Sequence, residues 1–254
     1  MSLIDGTLTR SVATYSGRAV YPTIESSVED IFAATMNVTN GTKVPETKDI
    51  VLRNGGKLVD ATYLYADLAG SSKIAQQLKK EAAAKVIKAY VNTATRILRY
   101  KDGEIRSFDG DRVMAIFMGP DKEERAVRAA MGIQWAVQEV IPVSIKKHYT
   151  DPEKFPPIAH GIGIDSGEAL IIRGGIRDNN DLISIGAAPN IAAKLSDIRD
   201  YRGSIFITDR VKDVLGDDYL RYDGWRDVWT RLGWGHDVGG SNVTVWATTV
   251  QWGI

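Results

Sequence analysis

Two short β-rich runs, residues 104–108 and 113–118, flank Asp109-Gly110-Asp111-Arg112. An Asp-Gly pair between such runs is a strong short-range signal for an antiparallel hairpin, because glycine takes the positive φ that a two-residue turn demands. The hairpin follows a long helical run that reaches Lys101, with Val86, Ile87, Tyr90, Val91, Ala94, Ile97 and Leu98 at helical spacing. That run opens after a β-rich stretch, residues 61–66, and a turn of small residues, Asp67-Leu68-Ala69-Gly70-Ser71-Ser72. Strand, tight turn, helix and hairpin in this order predict an α/β (α+β sandwich) fold, a mostly antiparallel sheet covered by helices.

The remaining chain extends that pattern. Residues 121–140 read as an amphipathic helix whose first turn, with Asp121, Glu123 and Glu124, suits the positive end of the helix dipole. Residues 142–157 are basic and proline-containing and predict a loop or exposed excursion. A strand over 158–172 is expected to break at Asp165-Ser166-Gly167. After a polar turn at 177–181 come a strand at 182–185, a helix over 189–198 with Pro189 near its first turn, a strand at 204–208 and a short helix at 209–215. The tail carries Trp225, Trp229, Trp234, Trp246 and Trp252, read as core and sheet packing, and ends in a strand pattern over 242–250. Residues 1–57 are rich in Ser, Thr and Asn and form an N-terminal arm, with one helix over 27–36 started by a Ser27/Asp30 capping box. The arm packs on the core or on a second subunit.

Composition removes several classes. The 254 residues include no cysteine, which excludes disulfide scaffolds, thiolate metal sites and cysteine nucleophiles and leaves a cytoplasmic location as the default. Lys plus Arg and Asp plus Glu are balanced at 32 each, so nothing in the bulk charge suits wrapping nucleic acid or lying on anionic lipid. No signal peptide and no apolar run of transmembrane length is visible. Phosphate-loop, His-Glu-x-x-His and Gly-x-Ser-x-Gly motifs are missing, and His148, His160 and His236 stand far apart. Gly161-Ile162-Gly163 is half of a dinucleotide fingerprint and carries no weight alone, and His160 reads as a structural histidine.

Asp67 and Asp111 are the candidates for chemistry. Asp67 ends a strand just before a small-residue turn whose backbone N–H groups can face an anion, and Asp111 lies in the hairpin turn. If the first strand neighbours the hairpin, both carboxylates reach one sheet edge and make a hard-oxygen site suited to Mg²⁺ or Mn²⁺ beside a phosphate. On the residues alone, a helix cap at Asp67 and a turn former at Asp111 is the plainer reading, and the wider pattern is what overturns it.

The wider pattern resembles the class III nucleotidyl cyclases. Leu64-Tyr65-Ala66-Asp67-Leu68-Ala69-Gly70-Ser71-Ser72 matches the family's first metal motif, and Gly110-Asp111-Arg112-Val113-Met114-Ala115-Ile116-Phe117 its second. Gly163-Ile164-Asp165-Ser166-Gly167-Glu168-Ala169 and Gly186-Ala187-Ala188-Pro189-Asn190-Ile191-Ala192-Ala193-Lys194-Leu195 follow in family order, so the likeness spans roughly residues 58–215. It implies a ferredoxin-like core and a catalytic domain over 58–254. It also implies two divalent ions (Mn²⁺ or Mg²⁺) on Asp67 and Asp111 with help from the Leu68 carbonyl, and a triphosphate cradled by Ala69, Gly70 and Ser71. Asn190 would orient the ribose, and Lys194 stands where the family has an arginine facing the α-phosphate. A lysine keeps the charge there but not the planar fork. The family builds its sites across a head-to-tail homodimer, with the aspartates from one chain and the Asn190 and Lys194 equivalents from the other.

Base selection departs from the purine cyclases. The positions that read adenine or guanine in the family are Ser107 and Ile183 here, and neither suits a purine. Arg106 would reach a smaller base if its strand bulges before Asp109, and Tyr65 is a further candidate. The wording around Asp67, Gly161 to Leu170, Gly175 to Leu182 and Lys194 resembles the bacterial pyrimidine cyclases of Pycsar anti-phage systems, in which a separate effector reads the cyclic nucleotide. UTP is the expected substrate; CTP, a purine nucleotide in an unusual pocket, or an inert nucleotide-binding module are the alternatives.

Overall fold

The computed structural model describes residues 22–200, 202–232, 236–238 and 241–253. Residues 1–21 of the expected arm and Trp234 lie outside them. In chain order the elements are α1 (Ile24–Ala33), β1 (Asn37–Asn40), β2 (Gly55–Ala69), α2 (Ser71–Gln77), α3 (Lys80–Tyr100), β3 (Glu104–Asp109), β4 (Arg112–Phe117) and α4 (Lys122–Trp135). There follow α5 (Ile141–His148), β5 (Ala159–Ile176), β6 (Asn179–Ile185), α6 (Ala187–Ser196), β7 (Ile205–Thr208), α7 (Asp209–Lys212) and α8 (Asp217–Leu220). Short strands close the chain: β8 (Arg221–Tyr222), β9 (Arg226–Asp227), β10 (Thr230–Arg231), β11 (His236–Val238), β12 (Ser241–Val243) and β13 (Val245–Thr248).

One sheet organises these pieces, in the order β10-β13-β7-β5-β2-β4-β3, with β1 added on β2 and β6 on β5. Its pairs are antiparallel except β1 with β2 and β5 with β7. The expected β3–β4 hairpin forms, but Asp109 pairs with Arg112, so the two-residue turn is Gly110-Asp111 with Gly110 at φ 60.

Alternation along β2 sends Leu64, Ala66 and Leu68 into a core shared with Val86, Tyr90, Leu98, Val127 and Met131 of α3 and α4. The opposite face sends Ala61 and Tyr63 against Met114, Ile116, Ala188 and Ala192, the last two from α6. Both faces of β2 are therefore covered, so its burial is nearly continuous rather than alternating. Each large apolar side chain removed from water this way contributes about 1.5–3 kcal/mol.

Several elements depart from expectation. The first helix starts earlier, because Thr23 rather than Ser27 is its cap, its hydroxyl accepting from the Ser26 N–H at 3.2 Å. The long helical run is cut at Leu78 and Lys79, where extended backbone turns Leu78 onto the core. Residues 142–148, expected as loop, are helical. Pro142 cannot donate to the preceding turn, and the chain widens into a π-turn at Ala136–Val140 just ahead of it. β5 runs unbroken through Asp165-Ser166-Gly167, with Gly167 at φ 157.

The division at residue 57/58 falls inside β2: β1 is paired to its first residues, and Ile50 is buried in the core. Of the tail tryptophans, Trp229 is buried, whereas Trp225 and Trp252 are exposed and stack with Arg226 and Arg128. No helix among the described residues is long and apolar enough to cross a membrane.

Candidate active site

Register places the two aspartates together. Asp67 sits opposite Arg112 of β4 on one side and Gly161 of β5 on the other, and Asp111 immediately precedes Arg112 in the hairpin turn. The Asp67 side chain is 15% exposed and meets two guanidinium groups: Arg112 Nε lies 3.4 Å from Oδ1, and Arg199 Nη2 donates to Oδ2 at 2.8 Å. Arg112 also pairs with Asp197, just past the end of α6. Asp111 Oδ2 is buried and has no hydrogen-bond partner. The buried Asp111 oxygen is left to accept a cation, whereas the two guanidinium groups already balance Asp67 and would have to shift for a metal ion to reach its oxygens.

Behind this edge lies a buried polar pair. Burial, then the Asp67 and Asp111 carboxylates, push the Tyr90 phenol well above its usual range. Its ring stands edge-on to His160 at 6.1 Å. His160 hydrogen-bonds Gln134, whose Oε1 also accepts from Ser204 at 2.6 Å. Burial and Arg199 lower the His160 pKa to about 3, so the imidazole is neutral. It is the structural histidine that the sequence suggests.

The expected triphosphate cradle follows Asp67 directly. Leu68 and Ala69 complete β2, Gly70 takes φ 70, and α2 begins at Ser71. A Cβ at Gly70 would meet open space, so the turn is accessible, and its left-handed backbone suits glycine.

Helix α6 reaches the same end of the sheet through two glycines. A Cβ on Gly163 would lie 2.0 Å from the Ala192 carbonyl oxygen, and one on Gly161 2.2 Å from that of Ser196. The Gly-Ile-Gly run is thus a seat for a helix rather than part of a nucleotide loop. Asn190 and Lys194, one turn apart, are exposed on α6 and make no side-chain hydrogen bond or ion pair among the described residues. The structure does not bring them into contact with the aspartates of the same chain.

The base-reading candidates divide. Register lines up Tyr65, Met114 and Ser107 in one row across β2, β4 and β3, on the sheet face that α6 covers. A β-bulge falls at Arg106, and its guanidinium, four-fifths buried, reaches to 3.9 Å from Asp181. Ile183 lies on β6 with its side chain against Gly174, exposed and off that row. Arg112 and Arg199 are the residues that sequence reading missed. Arg112 stands inside the second motif, but nothing in its spacing shows that it turns back on Asp67, and Arg199 carries no sequence signal.

No family model matches the chain. Relatives do. A uridylate cyclase of Rhodovulum sp. (strain MB263) is 40% identical over 228 residues, covering 89% of this chain and 94% of that protein. One of Burkholderia cepacia is 37% identical over 228 residues with the same coverage. Among solved structures, an adenylyl cyclase from P. aeruginosa aligns with a TM-score of 0.60 at 20% identity, covering 76% of this chain and 95% of that one. The structural likeness establishes the class III cyclase fold, and with identity of this level over nearly the whole length, the chain belongs to the uridylate cyclase family.

Proposed function

We propose that the protein converts UTP to 3′,5′-cyclic UMP and pyrophosphate, in the cytoplasm, as a second messenger of anti-phage defence read by a separate effector. The observation that carries the reading is the register that sets Asp67 beside Asp111 at the edge from which the Gly70 turn opens. The 3′-oxygen of the ribose attacks the α-phosphorus in line, the bond to pyrophosphate breaks, and the 3′-hydroxyl proton passes to solvent.

Asp67, Asp111 and the Leu68 carbonyl would hold two divalent ions, Mn²⁺ or Mg²⁺. The unpartnered Asp111 Oδ2 fits such a role, while Arg112 and Arg199 hold the two Asp67 oxygens and would give way to the ions. Among the described residues no three His, Asp or Glu side chains converge, so substrate phosphates would complete the oxygen shell. Bound there, the ions supply Lewis-acid charge that acidifies the 3′-hydroxyl and offsets the triphosphate.

The chain's own groups do the positioning. Backbone amides of Ala69, Gly70 and Ser71 hold the triphosphate. Asn190 of a second copy orients the ribose, and its Lys194 sets a point charge against the α-phosphate; their exposure and lack of partners among the described residues of one chain support a composite site. Arg106, a donor only, suits the carbonyl oxygens of uracil and would face the exocyclic amine of cytosine unfavourably. Tyr65 and Ser107 line the same row, and Ile183 lies outside it.

Incubation of the protein with Mn²⁺ and equimolar ATP, GTP, CTP and UTP, with products identified by mass spectrometry, tests this. Cyclic UMP as the main product, lost in Asp67→Ala, is expected. Another cyclic nucleotide in its place would overturn the base assignment, and turnover retained in Asp67→Ala would overturn the metal assignment.

A further inference from the structure

Helix α1 carries an apolar stripe that no described residue buries. Ile24, Val28, Ile31 and Phe32 fall on one face at helical spacing, Ile24 is 77% and Phe32 86% exposed, and none of the helix's residues is buried. Ten residues are too few for a helix to be stable alone, since isolated helices below about 12–15 residues are marginal. The helix is also acidic: Glu25, Glu29 and Asp30 face no basic residue within it, and among the described residues only Asp30 is paired, to Arg53.

A complementary surface exists elsewhere on the molecule. Between α3 and α5 lies a groove of about 470 Å³ floored by Val86, Ala89, Val140, Ile145 and Phe155 and rimmed by Lys85 and His148. Lys146 and Lys147, in the last turn of α5, add to its positive edge.

Reach excludes docking within one chain. α1 is tied to the start of β2, where Asn54 Nδ2 donates to the Thr35 carbonyl at 2.9 Å and the Asn37 N–H to that of Asn54 at 2.7 Å. The groove lies toward the other end, because Val86 and Ala89 fall within the turn of α3 that precedes Tyr90, which packs on His160 beside Leu68. Twelve residues of strand, at roughly 3.3 Å each, put these ends about 40 Å apart.

We propose that α1 of one copy docks in the α3/α5 groove of a second copy, acidic helix against basic rim, each copy giving and receiving one helix about a two-fold axis. Pairing of α1 with a second α1 would set acidic faces together and is disfavoured. The inference rests on a two-fold dimer, as the composite-site reading does, but names a surface that takes no part in turnover.

The absence of native cysteine makes the test clean. Phe32→Cys and Ala89→Cys are made singly and together and exposed to a mild oxidant. A reducible dimer from the double variant and from the mixture of single variants is expected. A link only within one chain, no link, or self-linking of Phe32→Cys alone would overturn the proposal. Because Phe32 and Ala89 sit at the contact, exposed charges supply a second measurement. Glu25→Lys with Glu29→Lys should weaken dimerisation roughly tenfold in sedimentation, and added Lys85→Glu should restore it; unchanged affinity would count against the docking. Cross-linking reports the α1 contact whether or not the protein turns over UTP.

Discussion

Asp111 holds one carboxylate oxygen in the interior with no hydrogen-bond partner. Such an atom destabilises the native state, by about 1–3 kcal/mol when fully buried, and proteins tolerate it where function needs the charge. Asp111→Asn should therefore leave the thermal midpoint unchanged or raised while cyclisation falls at least about a hundredfold, the scale of losing one preorganised electrostatic contact. A variant that loses stability together with activity would show that Asp111 is a turn former first. His160 makes an independent statement about the same neighbourhood. Its folded pKa of about 3 lies below the 6.5 of a free imidazole, so beneath pH 6.5 the unfolded chain binds a proton that the native chain does not. Stability is full above 6.5 and declines as pH falls toward 3, by about 1.4 kcal/mol per pH unit. Between pH 7 and 5 the wild type should lose about 2 kcal/mol more than His160→Gln in urea unfolding. Equal losses would mean that the imidazole is solvated.

Helix α6 depends on the glycines beneath it. At Gly163 the added methyl of Gly163→Ala would meet the Ala192 carbonyl and the Ser196 nitrogen, backbone atoms with no freedom to swing away. The helix must lift, and overpacking of this kind costs about 1–3 kcal/mol. Because α6 carries Asn190 and Lys194, turnover should fall further than the lost stability explains, read as reduced kcat at a temperature where the variant is fully folded. This pairing also shows where the sequence stopped being legible. Gly161-Ile162-Gly163 carries no readable meaning in the sequence, because one chain of letters does not show which helix lies over it; the reason for the glycines is tertiary. The Asp109-Gly110 hairpin was readable because its cause is local, a turn backbone that glycine supplies. Pro142 misleads in the opposite direction: it predicts a loop, yet a preceding π-turn absorbs its missing donor and the helix resumes. Asp67 and Asp111 are legible as candidates through motif spacing, and their adjacency needs only the β2–β4 register. The grip of Arg199 on Asp67 closes a separation of 132 residues, and no spacing announces it.

At the scale of the whole molecule, one chain holds both halves of the proposed chemistry but does not join them. Asp67 and Asp111 lie at the sheet edge, while Asn190 and Lys194 face outward from α6 with no partner of their own among the described residues. Their fourfold spacing puts them on the same face of the helix, as two groups serving one ligand would require. If that ligand is bound by the aspartates of a second copy, two inactive variants complement each other. An Asp67→Ala chain keeps Asn190 and Lys194, and an Asn190→Ala chain keeps both aspartates. Random pairing makes half of the dimers mixed, each with one intact site of two, so activity near about a quarter of wild type is expected from equal amounts. Each variant alone should stay near background. If every site were contained in one chain, no mixture would exceed the sum of its parts, so absence of rescue in verified heterodimers would exclude the composite site. The outcome is separate from the α1 contact: a dimer cross-linked through Phe32 and Ala89 without complementation would keep the docking helix and discard the shared site.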